Sequence, residues 1–187
     1  FEALGLNWAY LAFPVAHERV PEALAGLAAV GCGGLNVTIP HKQAVMAHCS
    51  SVSDAATAIG AANTLIPDGL GGFRADNTDA EGFQRALDES GPEDVAGGVV
   101  LLIGAGGAAR AVAHAVNARG GRLLVANRNP EKAAELGWVV PFDPAALSAA
   151  ASEATLIVNA TSLGMGSTEV PQELPLAGIG PDQVVND

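Results

Sequence analysis

The stretch that most constrains this chain is Val99-Val100-Leu101-Leu102-Ile103 followed by Gly104-Ala105-Gly106-Gly107-Ala108-Ala109-Arg110. Five apolar residues, three of them β-branched, predict a buried strand. The chain then turns on Gly104 and Gly106 and enters an alanine-rich amphipathic helix running to about Arg119. In this strand–turn–helix setting G-x-G-x-x-A is a dinucleotide-binding fingerprint. The first glycine permits the tight turn, the second lets a pyrophosphate approach the backbone, and the small Ala109 lets the helix sit close to the strand. The anion would rest on free N–H groups at the helix N-terminus. Simple compact packing could produce the same spelling, but its place between a strand and a helix favours a nucleotide site over Gly104–Ala108.

The next strand, Arg122–Ala126, ends in Asn127-Arg128-Asn129-Pro130. An acid at that point would hold the ribose hydroxyls of NAD, and none stands there. Arg128, with Lys132 one helical turn on, suits a 2′-phosphate, because a guanidinium grips phosphate through two charge-assisted bonds. Two solvated cations would be the plainer explanation. Cations at a helix start oppose the macrodipole, however, and need another reason to be there. The expectation is NADP(H) in place of NAD(H), with Asn127, Arg128 and Lys132 in the cofactor site.

Charge narrows the partners. The 187 residues carry nine Lys and Arg against twenty Asp and Glu, a formal net charge of −11. Nucleic acid demands a basic face, so it is excluded as a partner. An anionic cofactor must be held by local cations against the long-range field. With 49% hydrophobic residues, the length supplies a core for one large domain or two small ones. Cys32 and Cys49 and the four histidines (His17, His41, His48, His114) share no metal-ligand spacing. No metal is expected, and unpaired cysteines fit a reducing, cytoplasmic setting. No signal peptide or membrane-spanning run appears. Both ends read as interrupted elements, so the sequence is expected to be an excerpt.

In chain order, the pattern predicts a strand over Trp8–Phe13, a helix over Pro21–Val30 and a strand over Leu35–Ile39. Short helices follow over Gln43–Cys49 and Asp54–Ile59, then a hairpin of Asn63–Ile66 and Leu70–Ala75 about Asp68-Gly69. Asp79–Glu89 is a helix ended by Gly91-Pro92, where a domain boundary is placed. Beyond it, strands Val99–Ile103, Leu123–Ala126, Val139–Phe142, Thr155–Val158 and Gln183–Asn186 alternate with helices. That alternation means a parallel, doubly wound sheet.

Nicotinamide chemistry needs a proton-handling group beside the carbon that exchanges hydride. In Gly34-Leu35-Asn36-Val37-Thr38-Ile39-Pro40-His41-Lys42, strand alternation sends Asn36 and Thr38 to one face, and Pro40 ends the strand before Lys42. This is a plausible cradle for a small polyhydroxy acid, or equally a half-exposed edge strand with a solvated lysine. Asn63, in Gly60-Ala61-Ala62-Asn63-Thr64, reads by itself as a turn residue. In Asp76-Asn77-Thr78-Asp79, Thr78 with Glu81 fits a capping box and Asp79 complements the helix dipole.

Taken together, these motifs resemble shikimate dehydrogenases. The resemblance rests on Asn36-Val37-Thr38-Ile39-Pro40-His41-Lys42, Gly60–Thr64, Asn77-Thr78-Asp79, Gly104–Arg110, Asn127-Arg128 and Asn159-Ala160-Thr161-Ser162-Leu163-Gly164-Met165. They occur in family order from residue 34 to 165, and the N-V-T-x-P-x-K and G-A-x-N-T pair is highly specific.

The resemblance implies an α/β enzyme of two domains. Residues 1–92 would form a substrate-binding catalytic domain, and residues 93–187 a Rossmann-like, doubly wound NADP-binding domain. It implies NADPH-dependent reduction of 3-dehydroshikimate to shikimate on the route to chorismate and the aromatic amino acids. The alternatives are a quinate/shikimate dehydrogenase or a catalytically silent NADP-binding regulatory module. Lys42 and Asp79 would be the catalytic pair, and Asn36, Thr38, Lys42, Asn63 and Asp79 would bind the substrate. The cofactor would meet Gly104, Ala105, Gly106, Gly107, Ala108, Asn127, Arg128, Lys132, Thr161 and Ser162, with Asp54 near the nicotinamide end. Lys132 stands where the family commonly has Arg, which keeps the charge but loses the fork. The family's N-terminal strand and two carboxylate-binding serines would precede Phe1. A Tyr near the substrate, and a later Gly and Gln, would follow Asp187. The protein is expected to act on a small molecule as a monomer or homodimer, with neither nucleic acid nor membrane as partner.

Overall fold

The computed structural model describes residues 1–90, 95–164, 179–181 and 183–186. Two sheets organise them. The first begins after helix α1 (Val20–Ala29), which carries Pro21 at its tolerated N-terminal position and buries Val20 and Leu24. Strands β1 (Leu35–Asn36), β2 (Ser51–Val52), β3 (Thr64–Pro67) and β4 (Phe73–Asp76) form a mixed sheet in the order β1-β3-β4-β2. β3 and β4 are the expected hairpin, antiparallel with Leu65 opposite Ala75. Its turn is fixed by Asp68, whose Oδ1 accepts from the N–H groups of Leu70 (2.7 Å) and Gly72 (2.9 Å). Helix α2 (Asp54–Ile59) links β2 to β3, and Ser53 caps it by accepting from Ala56 N–H. Leu24, Val45, Ala56, Leu65, Phe73 and Ala75 make the core of this unit.

The second sheet is wholly parallel. It comprises β5 (Val99–Ile103), β6 (Arg122–Ala126), β7 (Trp138–Val140), β8 (Leu156–Asn159) and β9 (Val184–Asn186), in the order β7-β6-β5-β8-β9. Helices α4 (Gly107–Ala118), α5 (Pro130–Ala134) and α6 (Pro144–Glu153) supply the crossovers. Alternate residues of β5 serve opposite faces, as a doubly wound sheet requires. Val100 and Leu102 pack with Val112 and Val116 of α4, while Leu101 and Ile103 pack with Leu147 and Ala151 of α6. Strand order reverses between β5 and β8, which opens a crevice at their C-terminal ends.

Helix α3 (Asp79–Ser90) ties the two units together. Leu87 and Phe83 pack in the core of the second sheet, and Ala80 joins Ile59, Ala61 and Ala111 in a small buried cluster between the units. The expected boundary at Gly91-Pro92 lies outside the described residues.

Several local expectations are corrected. Trp8–Phe13 is not a strand: no described strand pairs with it, and Trp8, Tyr10, Leu11 and Phe13 are exposed. β propensity supplies no ladder without a partner. The strand expected over Leu35–Ile39 shortens to β1 because the chain turns at Thr38, whose carbonyl accepts from His41 N–H at 2.9 Å. Gln43–Cys49 is a 3₁₀ turn over Ala44–His48, and Ser51–Val52 is a strand. The capping box of Thr78 with Glu81 does not form. Asn77 Oδ1 accepts from the N–H groups of Asp79 (2.9 Å) and Ala80 (3.4 Å), while Glu81 pairs with Arg85.

Candidate functional site

The polar residues singled out in the first unit meet where β1, β3 and the N-terminus of α3 converge. The turn after β1 delivers Lys42, whose carbonyl accepts from Ala62 N–H at 2.7 Å. This fixes the lysine backbone on the segment leading into β3. Its Nζ donates to Asp79 Oδ2 at 2.6 Å, with the two side chains only 17% and 31% exposed. Asn63 Nδ2 donates to the other oxygen, Asp79 Oδ1, at 2.7 Å and to Thr78 Oγ1 at 3.0 Å. In turn Asn63 Oδ1 accepts from Thr64 Oγ1 (2.8 Å) and from Thr78 N–H (3.0 Å).

Asn77, buried, donates to Ala61 O at 2.8 Å and thereby docks the start of α3 on the same segment. Both carboxylate oxygens of Asp79 are therefore occupied by fixed donors, and the carboxylate holds Lys42 in one direction. A charge-assisted bond of this kind is roughly twice as strong as a neutral one.

Asn36 lies beside this network as the register partner of Thr64. Its Oδ1 accepts from Tyr10 Oη at 3.1 Å. Thr38 is exposed at the turn and takes no part in the network, and Asp54 is exposed in the first turn of α2. Thr64, Asn77 and Thr78 join the network beyond the residues expected from the sequence. Their signal was position: each flanks Asn63 or Asp79 at a strand end. Asp76, just before them, accepts from Ser53 Oγ (2.6 Å) and from Asn77 N–H (2.8 Å). Those bonds hold its carboxyl below the usual carboxylate range, with the Ser53 hydroxyl the main cause and Arg74 adding to it.

Across the crevice stands the glycine turn. Gly104 has φ +116°, and a Cβ there would lie 2.8 Å from Ala160 O, so the turn is closed against the end of β8. A Cβ on Gly106 would meet nothing within 4 Å, leaving this backbone open to a ligand. Side chains of Ser53, Asn129 and Asp143 cap α2, α5 and α6, whereas no side chain caps α4. Its first N–H groups are left for another acceptor.

Asn127 closes the loop after β6 by donating to Asn129 O at 2.9 Å. Arg128 and Lys132 are exposed there, and neither joins an ion pair among the described residues. After β8, Thr161 Oγ1 donates to Asn159 Oδ1 (2.7 Å) and accepts from Leu163 N–H (3.0 Å), with Ser162 exposed between them. Met165 lies outside the described residues. An open glycine turn, an uncapped helix start and two free cations fit a dinucleotide bearing an extra phosphate.

Beyond the buried cluster of Ile59, Ala61, Ala80 and Ala111, two further contacts among the described residues join the sides of the crevice. Gly107, the first residue of α4, faces the stem of Lys42. Arg110 pairs with Glu135 while its guanidinium packs on Gly60, the left-handed C-cap of α2. No local sequence signal points to this role of Arg110, because its partners are distant in the chain.

Known proteins resemble this chain along its whole length. Residues 1–65 match the family model of the shikimate dehydrogenase substrate binding domain. A relative in Moorella thermoacetica, the NADP(+) shikimate dehydrogenase, is 41% identical over the whole of this chain and 67% of its own length. The chain belongs to the shikimate dehydrogenase family. The crystal structure of the shikimate dehydrogenase of Aquifex aeolicus superposes with a TM-score of 0.85 at 34% identity, covering 99% of this chain and 69% of that one. The enzyme of Thermus thermophilus, crystallised with NADP(H) and shikimate, gives 0.82 at 36% identity over the same shares. This family's two-part architecture, a substrate unit and a Rossmann-like NADP unit, is the α/β fold expected from the sequence.

Proposed function

We infer that this protein is an NADP-dependent shikimate dehydrogenase, an oxidoreductase that interconverts 3-dehydroshikimate and shikimate on the route to chorismate and the aromatic amino acids. The observation that supports the reading most directly is the Lys42–Asp79 pair, held at 2.6 Å against the first turn of α4. When bound, NADPH supplies hydride from nicotinamide C4. The remaining chemistry belongs to the chain.

The carbonyl oxygen of the substrate gains negative charge as the carbon is reduced, and the Lys42 ammonium is the donor placed to give it a proton. Asp79 keeps that ammonium aimed and offsets its charge, and Asn63 keeps Asp79 aimed. In the oxidative direction Lys42 takes the hydroxyl proton back. Asn36, Thr38 and Asn63 line the strand ends from which substrate hydroxyls are bound. Gly104–Ala108, with Thr161 and Ser162, cradle the pyrophosphate side. Asn127, Arg128 and Lys132 take the 2′-phosphate side. Asp54 is retained as a more distant candidate near the nicotinamide.

The same reading divides the chain into residues 1–92 for substrate and 93–187 for cofactor. It makes the protein a cytoplasmic monomer or homodimer that needs no nucleic acid or membrane. No helix of the described residues is long and apolar enough to cross a membrane.

The experiment is shikimate-dependent reduction of NADP+ by the full-length protein, with NAD+ and quinate in parallel. Turnover confined to shikimate with NADP+ is expected. Turnover of quinate with NAD+ would mean a quinate/shikimate dehydrogenase. NADP+ binding with no turnover of either acid would mean a silent binding module.

A further inference from the structure

Gly107 stands at a position where the fingerprint needs no glycine. The turn uses Gly104 and the ligand approach uses Gly106, while Gly107 is already the first residue of α4. Its φ is not positive, and a helix favours alanine over glycine by about 1 kcal/mol. Neither backbone geometry nor helix formation accounts for the choice.

The reason lies on the opposite side of the crevice. A Cβ at position 107 would lie 2.7 Å from Lys42 Cβ, 3.0 Å from Cδ and 3.3 Å from Cγ. Ordinary carbon contacts fall at about 3.5–4.0 Å. The lysine cannot yield easily, because it is pinned at both ends. Its carbonyl accepts from Ala62 N–H at 2.7 Å, and its Nζ donates to Asp79 at 2.6 Å. The nearest atom, Cβ, moves only with the backbone.

We propose that Gly107 is a positioning residue for Lys42: its bare Cα is the seat on which the lysine stem lies, so that the cofactor helix sets where the ammonium stands. This rests on the reading of Lys42 as the proton-transferring group. A methyl group at 107 forces the two sides of the crevice apart by about 1 Å or turns the lysine off Asp79. Misplacement of that size costs about 10²-fold in rate.

The test compares the full-length protein with Gly107→Ala, Lys42→Ala, Lys42→Gly and the double variant Gly107→Ala with Lys42→Gly. It measures kcat with shikimate and NADP+, and separately the NADP+ dissociation constant by titration calorimetry. Gly107→Ala is expected to lower kcat about 10²-fold. Alanine keeps the backbone N–H that position 107 offers the pyrophosphate, so NADP+ affinity is expected to fall less than about tenfold, or 1.4 kcal/mol, and less than in Gly106→Ala. In the Lys42→Gly background, where the Cβ that a methyl group at 107 would meet is gone, Gly107→Ala is expected to lower kcat no further, because residues acting through one group are not additive. Gly106→Ala is the contrast: its Cβ meets no protein atom within 4 Å, and its effect falls on NADP+ affinity.

Unchanged kcat in Gly107→Ala beside a crippled Lys42→Ala overturns the proposal. So does an equal loss from Gly107→Ala in both backgrounds, which marks a general structural role. Full turnover by Lys42→Ala defeats the reading of Lys42 itself, and this proposal with it. If Gly107→Ala does not fold, Lys42→Gly is added to it. Recovery of the fold supports the contact, and continued failure overturns it.

Discussion

The two sides of the crevice are finished to different degrees. On the substrate side the polar groups satisfy one another: Lys42, Asp79, Asn63, Thr64 and Thr78 form a hydrogen-bonded network. On the cofactor side the donors stand open, with the α4 N-terminus uncapped and Arg128 and Lys132 outside the described ion pairs. A group that moves a proton must already point the right way, so its neighbours orient it. A surface that receives a large anion gains most by leaving its donors unspent on the protein. At a net charge of −11, those open cations and amides also offset the repulsion an anionic cofactor meets. Damage on the substrate side is therefore expected in kcat, and damage on the cofactor side in affinity.

The sharpest break of that contrast is Lys42→Ala. Losing a positioned general acid–base group costs about 10²–10⁴-fold, and the NADP+ dissociation constant should stay near that of the parent. Stopped-flow turnover and calorimetry separate the two. An affinity loss as large as the rate loss would erase the proposed division of labour. Next in size is Arg128→Ala. A hydrogen bond to a charged group is worth about 1.5–3 kcal/mol, so NADP+ binding should weaken by about 10- to 100-fold. NAD+, which lacks the 2′-phosphate, should hardly respond. Equal losses for both nucleotides would place the 2′-phosphate elsewhere.

The same contrast explains what could be read from the sequence. The cofactor side is local: strand, glycine turn and helix lie within Val99–Ala118, and burial of β5 on both faces leaves a run of apolar residues. That part is legible from the apolar run and the glycine spacing that follows it. The substrate side is assembled from segments 15 to 37 residues apart. Spacing left Lys42 as either a cradle residue or a solvated end, and only the resemblance to a family joined it to Asp79.

Errors fell where a tertiary partner decides the outcome. Trp8–Phe13 has strand-forming residues but no described strand to pair with. Thr78 has the right residue for a cap, yet its hydroxyl is engaged by Asn63, so Asn77 caps α3 instead. Gly107 looked like one more glycine of a phosphate loop, because nothing in its neighbourhood of sequence names Lys42.

The smallest expected effect concerns the scaffold under the substrate side, where Ser53 serves two masters. Its Oγ accepts from Ala56 N–H at 3.1 Å to cap α2 and donates to Asp76 Oδ1 at 2.6 Å. Ser53→Ala should cost about 1 kcal/mol of stability, read as a lower urea midpoint with an unchanged slope, and should leave NADP+ affinity untouched.

The link to Asp76 adds a pH signature. Because the Asp76 pKa is lowered in the folded protein, the unfolded chain takes up the proton first as pH falls. The carboxylate therefore stabilises the fold fully above its unfolded pKa of about 3.9. That contribution is lost as pH drops through the lower folded value. Asp76→Asn removes it. The stability gap between parent and Asp76→Asn should be level from neutral pH to about 5 and close progressively below about 4. A gap that stays constant down the acid limb would mean that Ser53 holds Asp76 by shape and not by charge.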